Sequence, residues 1–152
     1  MFYTYLSLVG TEGMKLLARA FIVATLALPA PAWSGSVKVI MQGVSSSQGR
    51  VRVALCDRKS FLKSGCPFKQ SREAAPGTLM VNFDNVPPGR WAVMAFHDEN
   101  SNGVLDKNWL GIPVEGTAFS RDAAARFGPP SFDDAAISTG QGDVSLTMTM
   151  RY

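Results

Sequence analysis

In several stretches of the chain, apolar and polar side chains alternate with a period of two, the pattern of strands that bury one face. Near the C-terminus Val144, Leu146, Met148 and Met150 fall on one side, while Ser145, Thr147, Thr149 and Arg151 fall on the other. Residues 50–56 place Val51, Val53 and Leu55 inward with Arg50 and Arg52 outward. Residues 78–84 set Leu79, Val81 and Phe83 against Thr78, Met80, Asn82 and Asp84. Val37, Val39 and Met41 mark an earlier strand. Residues 91–96 (WAVMAF) are apolar at every position, which suits a central strand covered on both faces.

The connections carry turn chemistry. Residues 45–49 (SSSQG) read as a hairpin loop between the first two strands, and Pro87-Pro88-Gly89 as the reversal of a second antiparallel pair. Residues 57–77 form a longer excursion, with a short edge strand predicted at Phe68–Glu73. Residues 107–140 lack a strand pattern except around Ala135–Ser138. A short helix is predicted at Arg121–Phe127, with Ser120 as its N-cap and Gly128 closing it ahead of Pro129-Pro130. Short strands joined by turns, with scarcely any helix, predict an all-β fold: a single antiparallel β-sandwich of about seven strands with one long loop. A loop of that length in a small domain is usually functional.

The N-terminus departs from this pattern. After a second Met at position 14, Lys15 and Arg19 form a basic lead, Ala20–Pro29 is apolar, and Ala30-Pro31-Ala32 has the small-x-small form that signal peptidase reads. Residues 1–32 are therefore expected to be an extension and cleavable signal, with Trp33 the first mature residue and translation starting at Met1 or Met14. The apolar run is short for a membrane span and ends in prolines. Residues 33–152 would form one domain in the periplasm or outside the cell, with no transmembrane anchor. They hold 13 Lys and Arg against 11 Asp and Glu, too small an excess to argue for nucleic acid. Basic residues concentrate at 50–72, read as a solvated face in preference to a contact with an anionic envelope surface. Export also bears on the two cysteines. Cys56 and Cys66 have nine residues between them, fit neither a CxxC nor a zinc pattern, and are expected to form a disulfide.

The segment that carries chemistry is 97–106, HDENSNGVLD. With Asp98 as position 1, oxygen-bearing side chains fall at positions 1, 3, 5 and 9: Asp98, Asn100, Asn102 and Asp106. Gly103 holds position 6, where a sharp turn is needed, and Val104 at position 7 offers its carbonyl. This is the first part of an EF-hand-type Ca²⁺ loop: a hard cation wants several oxygens near one point, and a tight glycine turn folds alternate side chains inward. The bidentate glutamate of position 12 is replaced by Trp109, so Glu115 is the nearest downstream candidate for the missing carboxylate, with Asp84 and Glu99 as weaker ones. The competing reading is a metal-free turn held by Asx hydrogen bonds.

His97 is the chain's single histidine. With Asp98 or Glu115 it would be the acid–base pair of an envelope hydrolase, but no nucleophile motif accompanies it, and a non-catalytic module is expected. His97, Trp109, Phe119 and Phe132 are candidates for a ligand surface facing a glycan, a peptide or an envelope protein; the competing and favoured reading of the aromatic rings is that they pack the long loop onto the sandwich.

Taken together, HDENSNGVLD at 97–106, GIPVEG at 111–116, AFS at 118–120, FGPPSFDDA at 127–135 and VPPGRWAV at 86–93 resemble the small exported bacterial proteins grouped as domain of unknown function 2141. The resemblance runs from about Gly35 to Arg151. It implies a transthyretin-like or carboxypeptidase-regulatory-like β-sandwich and no established activity. By motif match it draws attention to His97, Asp98, Asn100, Asn102, Gly103, Asp106, Gly111, Pro113, Glu115, Phe119, Ser120, Pro129 and Phe132. The cysteine pair is not part of it.

Overall fold

The structure, a computed structural model, describes residues 34–124 and 128–152. The expected signal segment, its cleavage point, Trp33 and Phe127 lie outside the described residues. Among the described residues eight strands run in the order β1 (Gly35–Val44), β2 (Arg50–Cys56), β3 (Phe68–Glu73), β4 (Gly77–Val86), β5 (Gly89–Asp98), β6 (Thr117–Phe119), β7 (Ala136–Thr139) and β8 (Val144–Thr149). One sheet has the order β4-β1-β8. The other has the order β3-β2-β5-β6, with β7 also pairing β5. The fold is an all-β sandwich. Among the described residues no helix is long and apolar enough to cross a membrane.

The alternating pattern accounts for the core. Val37, Val39 and Met41 of β1, Val51, Val53 and Leu55 of β2, Leu79, Val81 and Phe83 of β4, and Val93 and Ala95 of β5 are all buried in one cluster between the sheets. The outward residues of β4 (Thr78, Met80, Asn82 and Asp84) are exposed, as their polarity or edge position requires. β5 is apolar on both faces because both are covered. Its second face packs Ala92 and Met94 against a smaller cluster of Cys56, Phe61, Cys66, Phe132, Ala135 and Ala136. The Cys56–Cys66 disulfide, with Cα atoms 4.6 Å apart, ties the 57–67 excursion onto that face.

Three expectations about connectivity are corrected. Residues 45–49 are not a hairpin: β1 pairs β4 and β8, β2 pairs β3 and β5, and the loop carries the chain from one sheet to the other. Pro87-Pro88 likewise passes between β4 and β5, which belong to opposite sheets. Turn chemistry reports that the chain reverses. It does not report whether the next strand bonds beside the last or stacks across from it. The sandwich is also not wholly antiparallel, since β8 runs parallel to β1, Val37 opposite Val144 through Gln42 opposite Thr149.

The expected helix at 121–127 is corrected too. Ser120–Asp122 makes a single 3₁₀ turn in which Arg121 and Asp122 have φ of 61° and 48°. Left-handed residues cannot propagate a right-handed helix. Ser120 is not a cap. Its buried hydroxyl accepts from Val93 N at 2.9 Å and donates to Ala135 O at 2.5 Å, tying the long loop to β5. The helical turn is instead α1 (Phe132–Ala135), where Ser131 caps Asp134 N. The Ser131-x-x-Asp134 spacing is an N-cap signal present in the sequence.

Candidate functional site

β5 ends in the site. Its last two residues, His97 and Asp98, are both fully buried, and the chain then turns through 99–106. Asp98 Oδ2 accepts from Arg52 Nε at 2.5 Å and from Gly103 N at 3.0 Å, whereas Asp98 Oδ1 is buried without a hydrogen-bond partner among the described residues. Burial pushes the Asp98 carboxyl up. The hydrogen bond from Arg52, the N–H groups of Gly103 and Asn102 and the Arg52 charge outweigh it and hold the group below the ordinary carboxylate range.

Two Asx turns shape the loop. Asn100 Oδ1 accepts from Asn102 N at 3.0 Å, and Asn102 Oδ1 accepts from Val104 N at 2.8 Å. Both amides reach the same carboxylate, with Asn100 Nδ2 2.6 Å and Asn102 Nδ2 3.0 Å from Asp106 Oδ2. Gly103 has φ 85°, the left-handed conformation the turn demands. Glu115, nine residues beyond Asp106, returns beneath the loop and is buried. Its Oε1 accepts from Glu99 N at 3.1 Å and its Oε2 from Asp106 N at 3.0 Å, so one carboxylate brackets both ends.

Hydrogen bonds thus tie Asp98, Asn100, Asn102, Asp106 and Glu115 into one loop, with Asn100 and Asn102 meeting at Asp106, Asp98 at Gly103 N and Glu115 at the two loop ends. Chemically the set can offer a cation Asp98 Oδ1, two amide oxygens, the Asp106 carboxylate and the Val104 carbonyl. Glu115 serves first as a backbone acceptor, with a lone pair remaining on each oxygen. Among the described residues no group of three or more His, Cys, Asp and Glu side chains is placed to hold a metal. An ion here would depend on amide and carbonyl oxygens, a donor set suited to Ca²⁺ rather than to a softer metal.

The other candidates do not form one surface. His97 is enclosed: Nε2 lies 2.7 Å from Gln48 O and Nδ1 2.7 Å from Tyr152 OH, which also accepts from Ser45 N at 2.9 Å. The imidazole therefore pins the 45–49 loop and Tyr152 to β5. Glu99 Oε1 is 3.5 Å from Nδ1, but both ring nitrogens already have structural partners. Phe132 is buried beneath Arg58, whose guanidinium lies 4.7 Å from the ring centre, and Phe119 packs edge-on to Phe61. Both cover the outer face of the β5 sheet, because burying their rings against the disulfide loop removes more apolar area from water than a shared open surface would. Trp109 alone is open to solvent. Sequence reasoning missed Arg52 as the partner of Asp98. That contact follows from β2 lying beside β5 with Arg50 opposite Asp98, which no local signal reveals.

One family model matches residues 39–147, most of the chain and all of the site. The chain belongs to the family described as "Uncharacterized protein conserved in bacteria (DUF2141)". No curated protein matches this family member. A solved structure titled a pilus-presented adhesin is similar over 78% of this chain at 10% identity and a TM-score of 0.28. The chain spans 27% of that protein's length.

Proposed function

We propose that the chain is a non-catalytic, exported accessory module of the cell envelope, and that its 98–106 loop takes Ca²⁺. The observation that carries this reading is the division of labour at Asp98. One oxygen is fixed by Gly103 N and Arg52, and the other is buried with no partner among the described residues, at the start of a loop whose next oxygen side chains are Asn100, Asn102 and Asp106. A buried carboxylate oxygen without a partner is costly unless something fills its place. Val104 would add a carbonyl and Glu115 the missing carboxylate. Such a site lacks a dedicated bidentate ligand and is weak, so it suits a compartment where calcium is plentiful. The enclosed His97 supports the non-catalytic part of the reading. Titration calorimetry, with thermal melts in calcium and in chelator, tests it. A calcium-dependent rise in Tm that disappears in Asp98→Ala and Asp106→Ala is expected. No heat at millimolar calcium, together with identical melts, overturns it.

A second reading is favoured by the Arg52–Asp98 ion pair and the Asx turns. In it the loop is a metal-free structural corner. It predicts no response to calcium and a large loss of stability in Gly103→Val, where a β-branched side chain would be forced to φ 85°.

A further inference from the structure

The backbone pairing continues past β8. Met150 N donates to Gln42 O at 2.8 Å and keeps the segment beside β1. Arg151 then exchanges hydrogen bonds with Thr117 of the opposite sheet: its N–H donates to Thr117 O at 2.9 Å, and its carbonyl accepts from Thr117 N at 2.8 Å. Arg151–Tyr152 is therefore a strap between the two sheets. Tyr152 closes it. Its hydroxyl accepts from Ser45 N at 2.9 Å and lies 2.7 Å from His97 Nδ1. His97 Nε2 lies 2.7 Å from Gln48 O, which can only accept, so Nε2 carries a proton and Nδ1 of the neutral imidazole takes the Tyr152 O–H. The ring lies on the backbone of Gly116, where a Cβ would come within 2.5 Å of Tyr152 Cε1. Gly116 O in turn accepts from His97 N at 2.8 Å. One side chain thus bears on the two residues that flank the loop's buried carboxylates, His97 before Asp98 and Gly116 after Glu115. Tyr152 is nevertheless 60% exposed and Arg151 is exposed, so the strap can lift without opening the core.

We propose that Tyr152 is a positioning residue for the 98–106 loop, and that docking of Arg151–Tyr152 and occupation of the loop by Ca²⁺ strengthen each other. The proposal rests on the cation reading above. An ion shared by Asp98 and Glu115 needs the end of β5 and the 115–116 segment at a fixed spacing, and the docked tyrosine touches both. Without it the ion must order those segments itself, which weakens binding. Linkage requires the converse: an ion that fixes the two segments holds the strap down by the same factor.

The test uses the full chain and Tyr152→Phe, which keeps the ring and deletes the hydroxyl, with Gly116→Ala as a second variant that pushes the ring away. Cys56→Ser/Cys66→Ser, a destabilising change beside Ala92 toward the other end of β5, controls for stability alone. Calorimetry gives calcium affinity. Hydrogen exchange, followed by NMR in calcium and in chelator, gives the protection of the Arg151 and Thr117 N–H groups and needs no variant. Calcium affinity should fall at least about fivefold in both strap variants and hold in the cysteine control, and calcium should slow exchange at Arg151 and Thr117 of wild type by a similar factor. Equal affinity of wild type and Tyr152→Phe overturns the proposal and leaves the cation reading standing. An equal fall in the cysteine control overturns it too, because stability alone would then set the affinity. Weaker binding in the variants with no calcium-dependent protection of Arg151 breaks the required reciprocity and overturns the coupling. No heat from wild type at millimolar calcium sinks the cation reading and the coupling together.

Discussion

Arg52→Met separates the two roles that Asp98 can play. In the folded chain the Asp98 carboxylate is wholly buried and takes Arg52 Nε at 2.5 Å, while the Arg52 side chain remains 34% exposed. Methionine keeps most of the stem and deletes the charge. Breaking a fully buried ion pair costs about 3–5 kcal/mol, because the surviving charge is stranded. Here water reaches the guanidinium side and the N–H groups of the loop remain, so the loss should be nearer about 2–3 kcal/mol. For a domain of this size that corresponds to a fall in Tm of roughly 8–12 °C. The second half of the prediction concerns calcium. An ion on Asp98 Oδ1 shares its carboxylate with the guanidinium and is repelled by it. Removing Arg52 should therefore raise calcium affinity by at least about tenfold, a modest 1.4 kcal/mol for two cations a few ångströms apart. Melts of wild type and variant in chelator and in millimolar calcium, with calorimetry, give both numbers. If the variant melts with wild type in chelator, the ion pair has no structural weight. If calcium stabilises it no more than wild type, the cation does not sit on Asp98.

Three further outcomes are expected. Gly49 has φ 66°, and a Cβ there would collide with the backbone oxygen of Asp98 and come within 2.6 Å of Glu99 O. Gly49→Ala should therefore cost more than about 3 kcal/mol and, by displacing the segment that opens the loop, weaken any calcium response, as melts and calorimetry would show. Reducing Cys56–Cys66, or Cys56→Ser/Cys66→Ser, releases a ten-residue separation and should cost about 2–3 kcal/mol in a denaturant titration. Asp133 is held below its ordinary value near 3.8 by hydrogen bonds from Arg58 and Arg90, and Asp57 by the hydroxyl and N–H of Ser60. A carboxyl lowered in the folded state contributes stability that is complete above the unfolded value and is lost as pH falls through the lowered one. Tm should stay level down to about pH 5 and decline below about pH 4, and Asp133→Asn should flatten that decline.

The sequence by itself determined whatever depends on near neighbours. A period of two is enough to say which side chains of 37–41, 51–55 and 79–83 face inward, since a strand presents alternate residues to one face, and all of them are buried. The edge strand at Phe68–Glu73 was legible too, and the Cys56–Cys66 bridge followed from an even cysteine count at a spacing that fits no metal or redox motif. So was the loop at 98–106, because its turn needs oxygen side chains two apart and one glycine, all within nine residues. Only the tertiary structure decided what depends on pairing. Both turn-rich corners proved to join opposite sheets, β8 entered parallel to β1, and left-handed residues at Arg121 and Asp122 moved the helical turn to Phe132. Above all, tertiary structure chose the partners of the two residues that end β5. Arg52 reaches Asp98 because β2 lies beside β5, and Gln48 and Tyr152 enclose His97 from segments 49 and 55 residues away. The local pattern sets which chemical groups are on offer. The long-range register sets which of them are neutralised, which are enclosed, and which, like Asp98 Oδ1 and Trp109, are left without a partner among the described residues.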